Sequence, residues 1–100
     1  MVGLEINASI KPEQRHEFLQ TIEMFRCQLD EDTACISCSI FETIGKPNQF
    51  LWVEKWSDQG QLDDYLQTDR FKALLGAIQV LGELNSLQIS RIEEMNDRPG

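Results

Sequence analysis

The residues best suited to chemistry gather in one short stretch. Trp52, Glu54 and Trp56 alternate with Leu51, Val53 and Lys55, so on an extended strand all three point the same way. A carboxylate set among indoles loses its water, its pKa rises, and it can serve as a general base. The same residues also suit a structural carboxylate paired with a cation, Arg91 on another strand being the candidate. The indoles suit a pocket lining, a core or a subunit seam. Cys35 and Cys38 have the C-x-x-C spacing. On a regular strand residues three apart face opposite sides, so these thiols cannot share a metal without a bulge. Nor do they open a helix, as a thioredoxin-like motif would. Both read as small core residues, as does Cys27, with no disulfide between them. His16, the single histidine, sits beside Gln14, Arg15 and Glu17 and reads as solvated surface. No metal site and no cofactor motif is expected.

The elements that must position these residues follow from periodicity. Val2, Leu4, Ile6, Ala8 and Ile10 alternate with smaller or polar residues, which predicts a strand with one apolar face. Pro12 opens a helix. Phe18, Ile22, Phe25 and Leu29 form its stripe, and Asp30-Glu31-Asp32 ends it, since acids oppose the dipole there. Cys35 to Thr43 and Phe50 to Trp56 read as a hairpin around Gly45-Lys46-Pro47-Asn48. Both faces of its second strand are apolar: Phe50, Trp52 and Trp56 on one, Leu51 and Val53 on the other. Helices can cover one face. A second subunit is the economical cover for the other, with Trp52 or Phe50 expected in the contact. Ser57 is the expected N-cap of the next helix, whose inner face is Leu62, Tyr65 and Leu66. Thr68 caps a restart carrying Phe71, Leu74, Leu75, Ile78 and Leu81, and Gly82 stops it. Gly76 inside that helix either leaves room for a ligand or allows close helix packing. Leu87 to Glu93 is the expected last strand, with Leu87 and Ile89 on one face and Ile92 on the other. The order β-α-β-β-α-β is an α+β, ferredoxin-like arrangement with a four-stranded antiparallel sheet.

Composition bounds the partners. One hundred residues make one domain, expected over 1–95 with a frayed tail over 96–100. The formal net charge of −8 repels a phosphate backbone, so no nucleic acid partner is expected. The uncharged stretch from Ala73 to Gly82 is too short to cross a bilayer, so no membrane partner is expected either. The first residues read as lacking a signal peptide, and three cysteines without an export signal favour reduced thiols and the cytoplasm.

Phe50-Leu51-Trp52-Val53-Glu54-Lys55-Trp56, then Leu62-Asp63-Asp64-Tyr65-Leu66-Gln67-Thr68 and Phe71-Lys72-Ala73, resembles the antibiotic biosynthesis monooxygenase domain, and within it the bacterial quinol monooxygenases. The resemblance spans about residues 2–93, with Lys11-Pro12 at the expected strand-to-helix junction. It implies a dimeric α+β barrel and a homodimer. It also implies cofactor-free oxidation by dioxygen of a small aromatic, quinol-like ligand in an apolar cavity. Two departures stand out. The family's histidine falls on Tyr65, and the Pro-His that often follows its threonine is Asp69-Arg70. A histidine haem ligand of the kind used by haem-degrading relatives is absent where Leu74 and Leu75 stand. Asn7 lies near an asparagine those relatives use, in a register that periodicity leaves open by one residue. By the resemblance Tyr65 and Glu54 are the candidate catalytic residues. Trp52, Trp56, Leu62, Leu66, Phe71, Leu74, Leu75 and Ile78 are the candidate substrate-binding ones. Tyr65 either holds a phenolic oxygen by a hydrogen bond or is a half-buried helix residue with a wet hydroxyl. Three functional readings stay open: an oxygenase, a non-catalytic binding or sensing module on the same barrel, and an isomerase or lactone-processing enzyme.

Overall fold

A computed structural model describes residues 1–32 and 34–91. Strand β1 (Val2–Ile10) keeps the alternation of its sequence: Val2, Leu4, Ile6, Ala8 and Ile10 are all buried. A single 3-10 turn over Pro12–Gln14 leads into α1 (Arg15–Asp30), which buries Phe18, Ile22 and Leu29. Strands β2 (Cys35–Glu42) and β3 (Gln49–Trp56) form the hairpin. Its loop needs two left-handed residues, Gly45 at φ 85° and Asn48 at φ 68°. Arg15 pins the loop by a two-pronged bond to Glu42 (2.5 and 2.9 Å) and a third to Asn48 Oδ1 (3.0 Å). Helices α2 (Gln59–Leu66) and α3 (Asp69–Leu81) and strand β4 (Gly82–Arg91) complete the order.

The sheet is antiparallel throughout, in the order β2-β3-β1-β4. This is the expected α+β, ferredoxin-like arrangement. The helices cover one face. Leu4, Ile6, Phe50, Trp52 and Trp56 point into that layer against Phe18, Ile22, Leu62, Leu74 and Ile78. The other face carries Glu5, Asn7 and Ser9 of β1, Leu51, Val53 and Lys55 of β3 and Phe41 of β2, because each lies opposite the others in register. Phe50 and Trp52 are buried within the subunit, so they are not on the face left for a partner.

Five local expectations are corrected, the first being Cys27, which is exposed on α1 rather than in the core. The N-cap of α2 is Asp58, whose side chain accepts from Gln61 N at 3.0 Å, while Ser57 turns back to the Ala34 carbonyl. Strand β4 starts at Gly82, directly from the end of α3, rather than at Leu87. A Cβ at Gly82 would collide with the Ser9 carbonyl, which is why glycine stands where the chain crosses β1 so closely. The β2–β3 register shifts between Cys35 and Ser37. Ile36 is therefore the extra residue of a bulge, and Cys35 and Cys38 lie opposite Trp56 and Glu54 on the same, helix-facing side. Finally, nothing lies within 4 Å of a Cβ built on Gly76, so close helix packing does not explain that glycine. Thr68 caps α3 as expected, accepting from Phe71 N at 3.2 Å. The expectations for Ile92, Glu93 and the tail over 96–100 lie outside the described residues.

Candidate active site

Glu54 has no solvent exposure. Its strand neighbours two residues either way supply donors, as the alternation requires. Trp52 Nε1 donates to Oε2 at 2.6 Å and Trp56 Nε1 to Oε1 at 2.8 Å. From above, the Tyr65 hydroxyl of α2 donates to Oε2 at 3.3 Å. Three neutral donors thus satisfy one buried carboxylate. Burial pushes its pKa upward. The two indoles, the phenol and the Arg70 guanidinium pull the other way without cancelling the shift. Arg91 is not its partner. That residue lies opposite Val2 and lines a separate hollow with Met1, Ser57, Asp58 and Gln59.

Tyr65 is held as firmly. It is buried, its ring lies 4.9 Å from that of Trp56 and 5.3 Å from that of Phe71, and Arg70 sits 5.3 Å above it. Its hydroxyl is not wet but committed to Glu54. Burial and the adjacent Glu54 carboxylate drive the phenol pKa far upward, so the side chain stays protonated. It can pass a proton on only if it receives another.

Trp56 and Tyr65 form the floor of an open cleft of about 390 Å³. Asp32, Gln61, Asp64, Thr68 and Arg70 are its other lining residues. The volume suits a ligand of one or a few rings. Arg70 Nη2 reaches Asp32 Oδ2 at 3.5 Å, and this pair also borders an adjoining hollow lined by Gln28 and Glu31. Gln61 and Asp64 of α2 line the cleft on one side of the helix break, and Thr68 and Arg70 at the start of α3 line it on the other.

The structure brings Glu54, Trp52, Trp56 and Tyr65 into one hydrogen-bonded group. The six apolar candidates lie elsewhere. Leu62, Phe71, Leu74 and Ile78 are in the core, and Leu66 and Leu75 pack half-buried against it. None of the six is among the cleft's lining residues. Sequence reasoning misses Arg70, Asp32, Asp64, Gln61 and Thr68 as residues that line the cleft. The one signal for Arg70 in the sequence is its place in the resemblance to the family's pattern, where Asp69-Arg70 depart from Pro-His. Asn7 faces the open side of the sheet, accepting from Gln49 and Asn85, and takes no part in this group. Among the described residues no cluster of three or more histidine, cysteine, aspartate or glutamate side chains is placed to hold a metal. No described helix is long and apolar enough to cross a membrane.

The family model for antibiotic biosynthesis monooxygenase matches residues 1–76. The chain is 27% identical over 75 residues to YcnE of Bacillus subtilis, provisionally named a monooxygenase, covering 75% of this chain and 79% of YcnE. A crystal structure from Deinococcus radiodurans, provisionally described as an antibiotic biosynthesis monooxygenase, superposes with a TM-score of 0.86. Its identity is 19%, and the match covers all of both chains. SnoaB of Streptomyces nogalater, described as a cofactor-independent oxygenase and solved as a point mutant, superposes with a TM-score of 0.82 at 11% identity over 97% of each chain. At such identities these two likenesses speak to the fold.

Proposed function

The chain belongs to the antibiotic biosynthesis monooxygenase family, and on that premise we propose that it oxidises a small, electron-rich, quinol-like aromatic with dioxygen and without a cofactor. The observation that carries this reading is the buried Glu54 carboxylate joined to the Tyr65 hydroxyl beneath an open cleft. A phenolic substrate in the cleft donates its O–H to Tyr65 Oη. As that proton arrives, Tyr65 passes its own to Glu54 Oε2. Tyr65 ends neutral, in keeping with its raised pKa, and Glu54 ends protonated, in keeping with its own. The protonated Glu54 then donates back to Tyr65, whose new proton points at the substrate oxyanion. The phenolate is a better reductant than the phenol. It gives one electron to dioxygen, the two radicals join in a carbon–oxygen bond at a carbon that bears hydrogen, the peroxide anion takes back through Tyr65 the proton held on Glu54, and the hydroperoxide loses water with that carbon's hydrogen to leave a carbonyl. One oxygen atom stays on carbon and the other leaves as water.

The reading includes a homodimer with reduced thiols in the cytoplasm. Phe41, 56% exposed, and the half-buried Leu51 and Val53 share the uncovered sheet face, an apolar patch that a second copy would cover. Light scattering at tens of micromolar should return the dimer mass, and a monomer mass would remove that part of the reading. Oxygen uptake by chelator-treated, flavin-free protein with a panel of quinols and anthrones tests the activity. Uptake with at least one member supports the oxygenase. Tight binding without uptake by any member would leave the non-catalytic binding module.

A further inference from the structure

The lining of the cleft has a charge balance that the oxygenase reading does not use. Asp64, one residue before Tyr65 on α2, lines the cleft, and among the described residues no basic side chain pairs with it. Among the described residues Arg70 is the only basic one in the lining, and its guanidinium is engaged by Asp32 at 3.5 Å. Asp32 is held in turn, since its Oδ1 accepts from Ala34 N at 3.0 Å. The pair roughly neutralises itself, which leaves the Asp64 carboxylate as the surplus charge at the mouth. Glu31 in the adjoining hollow and the overall charge of −8 add to the same sign.

We infer that Asp64 is a specificity-determining residue that admits neutral phenols to this cleft and turns away their carboxylated counterparts. This rests on the cleft being the substrate site. A phenol ring on the Trp56–Tyr65 floor places a ring substituent within several ångströms of the Asp64 and Asp32 carboxylates. A second carboxylate there meets like charge across a partly wet gap, while a hydroxyl finds an acceptor. At roughly 6–8 Å and an effective dielectric between those of protein surface and water, one surplus charge weakens binding about tenfold.

The test is anaerobic calorimetry, so that no turnover intervenes, with hydroquinone and 2,5-dihydroxybenzoate as the probes. Wild-type protein should bind hydroquinone about tenfold more tightly. Asp64→Asn should bring the two compounds within about threefold of each other, mainly by strengthening the carboxylate. Salt near 1 M should narrow the wild-type gap in the same direction. Asp64 is exposed on α2, and its side chain makes no bond to another described residue, so the variant should fold; an unchanged circular dichroism spectrum checks this. Equal affinities in wild type, or a gap that Asp64→Asn leaves intact, would overturn the charge selection while leaving the cleft as the site. Binding of neither compound would overturn the cleft reading and this inference together.

Discussion

Replacing Tyr65 by phenylalanine separates the structural role of its hydroxyl from the proposed catalytic one. The ring contacts with Trp56 at 4.9 Å, Phe71 at 5.3 Å and Arg70 at 5.3 Å survive the change. What disappears is the single bond to Glu54 Oε2. A bond to a charged group contributes about 1.5–3 kcal/mol, and this one, at 3.3 Å, is longer than the usual O–H···O distance of about 2.5–3.0 Å, so it falls at the weak end. A loss of about 1–2 kcal/mol follows, or roughly 5–10 °C in melting temperature for a domain of this size. Glu54 keeps both indole donors, so the fold is expected to hold. The catalytic loss is larger. Without the bridging oxygen the substrate proton has no route to Glu54, and a positioned acid–base group typically contributes a factor of about 10²–10⁴. Oxygen consumption with the best quinol or anthrone, beside urea melts of both proteins, measures the two effects separately. Turnover within about twofold of wild type would refute the relay, because proton transfer of this kind does not lose its middle member so cheaply.

Glu54→Gln should change the pH dependence of stability. The folded-state pKa of Glu54 is raised above its ordinary 4.5, so its contribution is fully present below that value and is lost as pH rises through the raised value. Urea midpoints of wild type should fall along that limb, and those of the glutamine variant should not. Glu42 has the opposite sign. Arg15 and the Asn48 N–H hold its carboxyl down to about 2, so its contribution is present above 4.5 and is lost on acidification toward about 2. Glu42→Gln should therefore flatten the acid limb of the melting curve, and a limb matching wild type would count against the pinned loop. Gly76→Ala, with nothing within 4 Å of the new Cβ, should stabilise by about 0.5–1 kcal/mol, read as a higher urea midpoint. A lower midpoint would mean that the helix is crowded there.

Much of the fold is legible in the sequence because burial on the two central strands, β1 and β3, follows the alternation of their residues. Val2 through Ile10 and Trp52 through Trp56 announce their faces, and the Trp-Glu-Trp spacing already puts the carboxylate among indoles. The partner of Glu54 is not legible. Spacing leaves Tyr65 either holding a ligand oxygen or sitting with its hydroxyl wet, and only the seating of α2 on β3 turns that hydroxyl inward. The N-cap of α2 is ambiguous because Ser57 and Asp58 are both good caps, and the entry direction of the chain decides between them. The bulge at Ile36 carries no glycine or proline to mark it, so the parity argument that sets Cys35 and Cys38 on opposite faces fails. Arg70 and Asp32 are 38 residues apart in sequence, and their pairing depends on how the end of α1 meets the start of α3.

The central claim is that Glu54 receives the substrate proton through Tyr65. Infrared difference spectroscopy reads that event directly. Anaerobic addition of a quinol to wild-type protein should produce a protonated-carboxyl stretch together with quinolate absorbance. Neither signal should form to the same extent in Glu54→Gln, and Tyr65→Phe should lose the carboxyl signal while its Glu54 is still present. Quinolate formed in wild type without a new protonated-carboxyl band, or with one that persists in Glu54→Gln, would contradict the account.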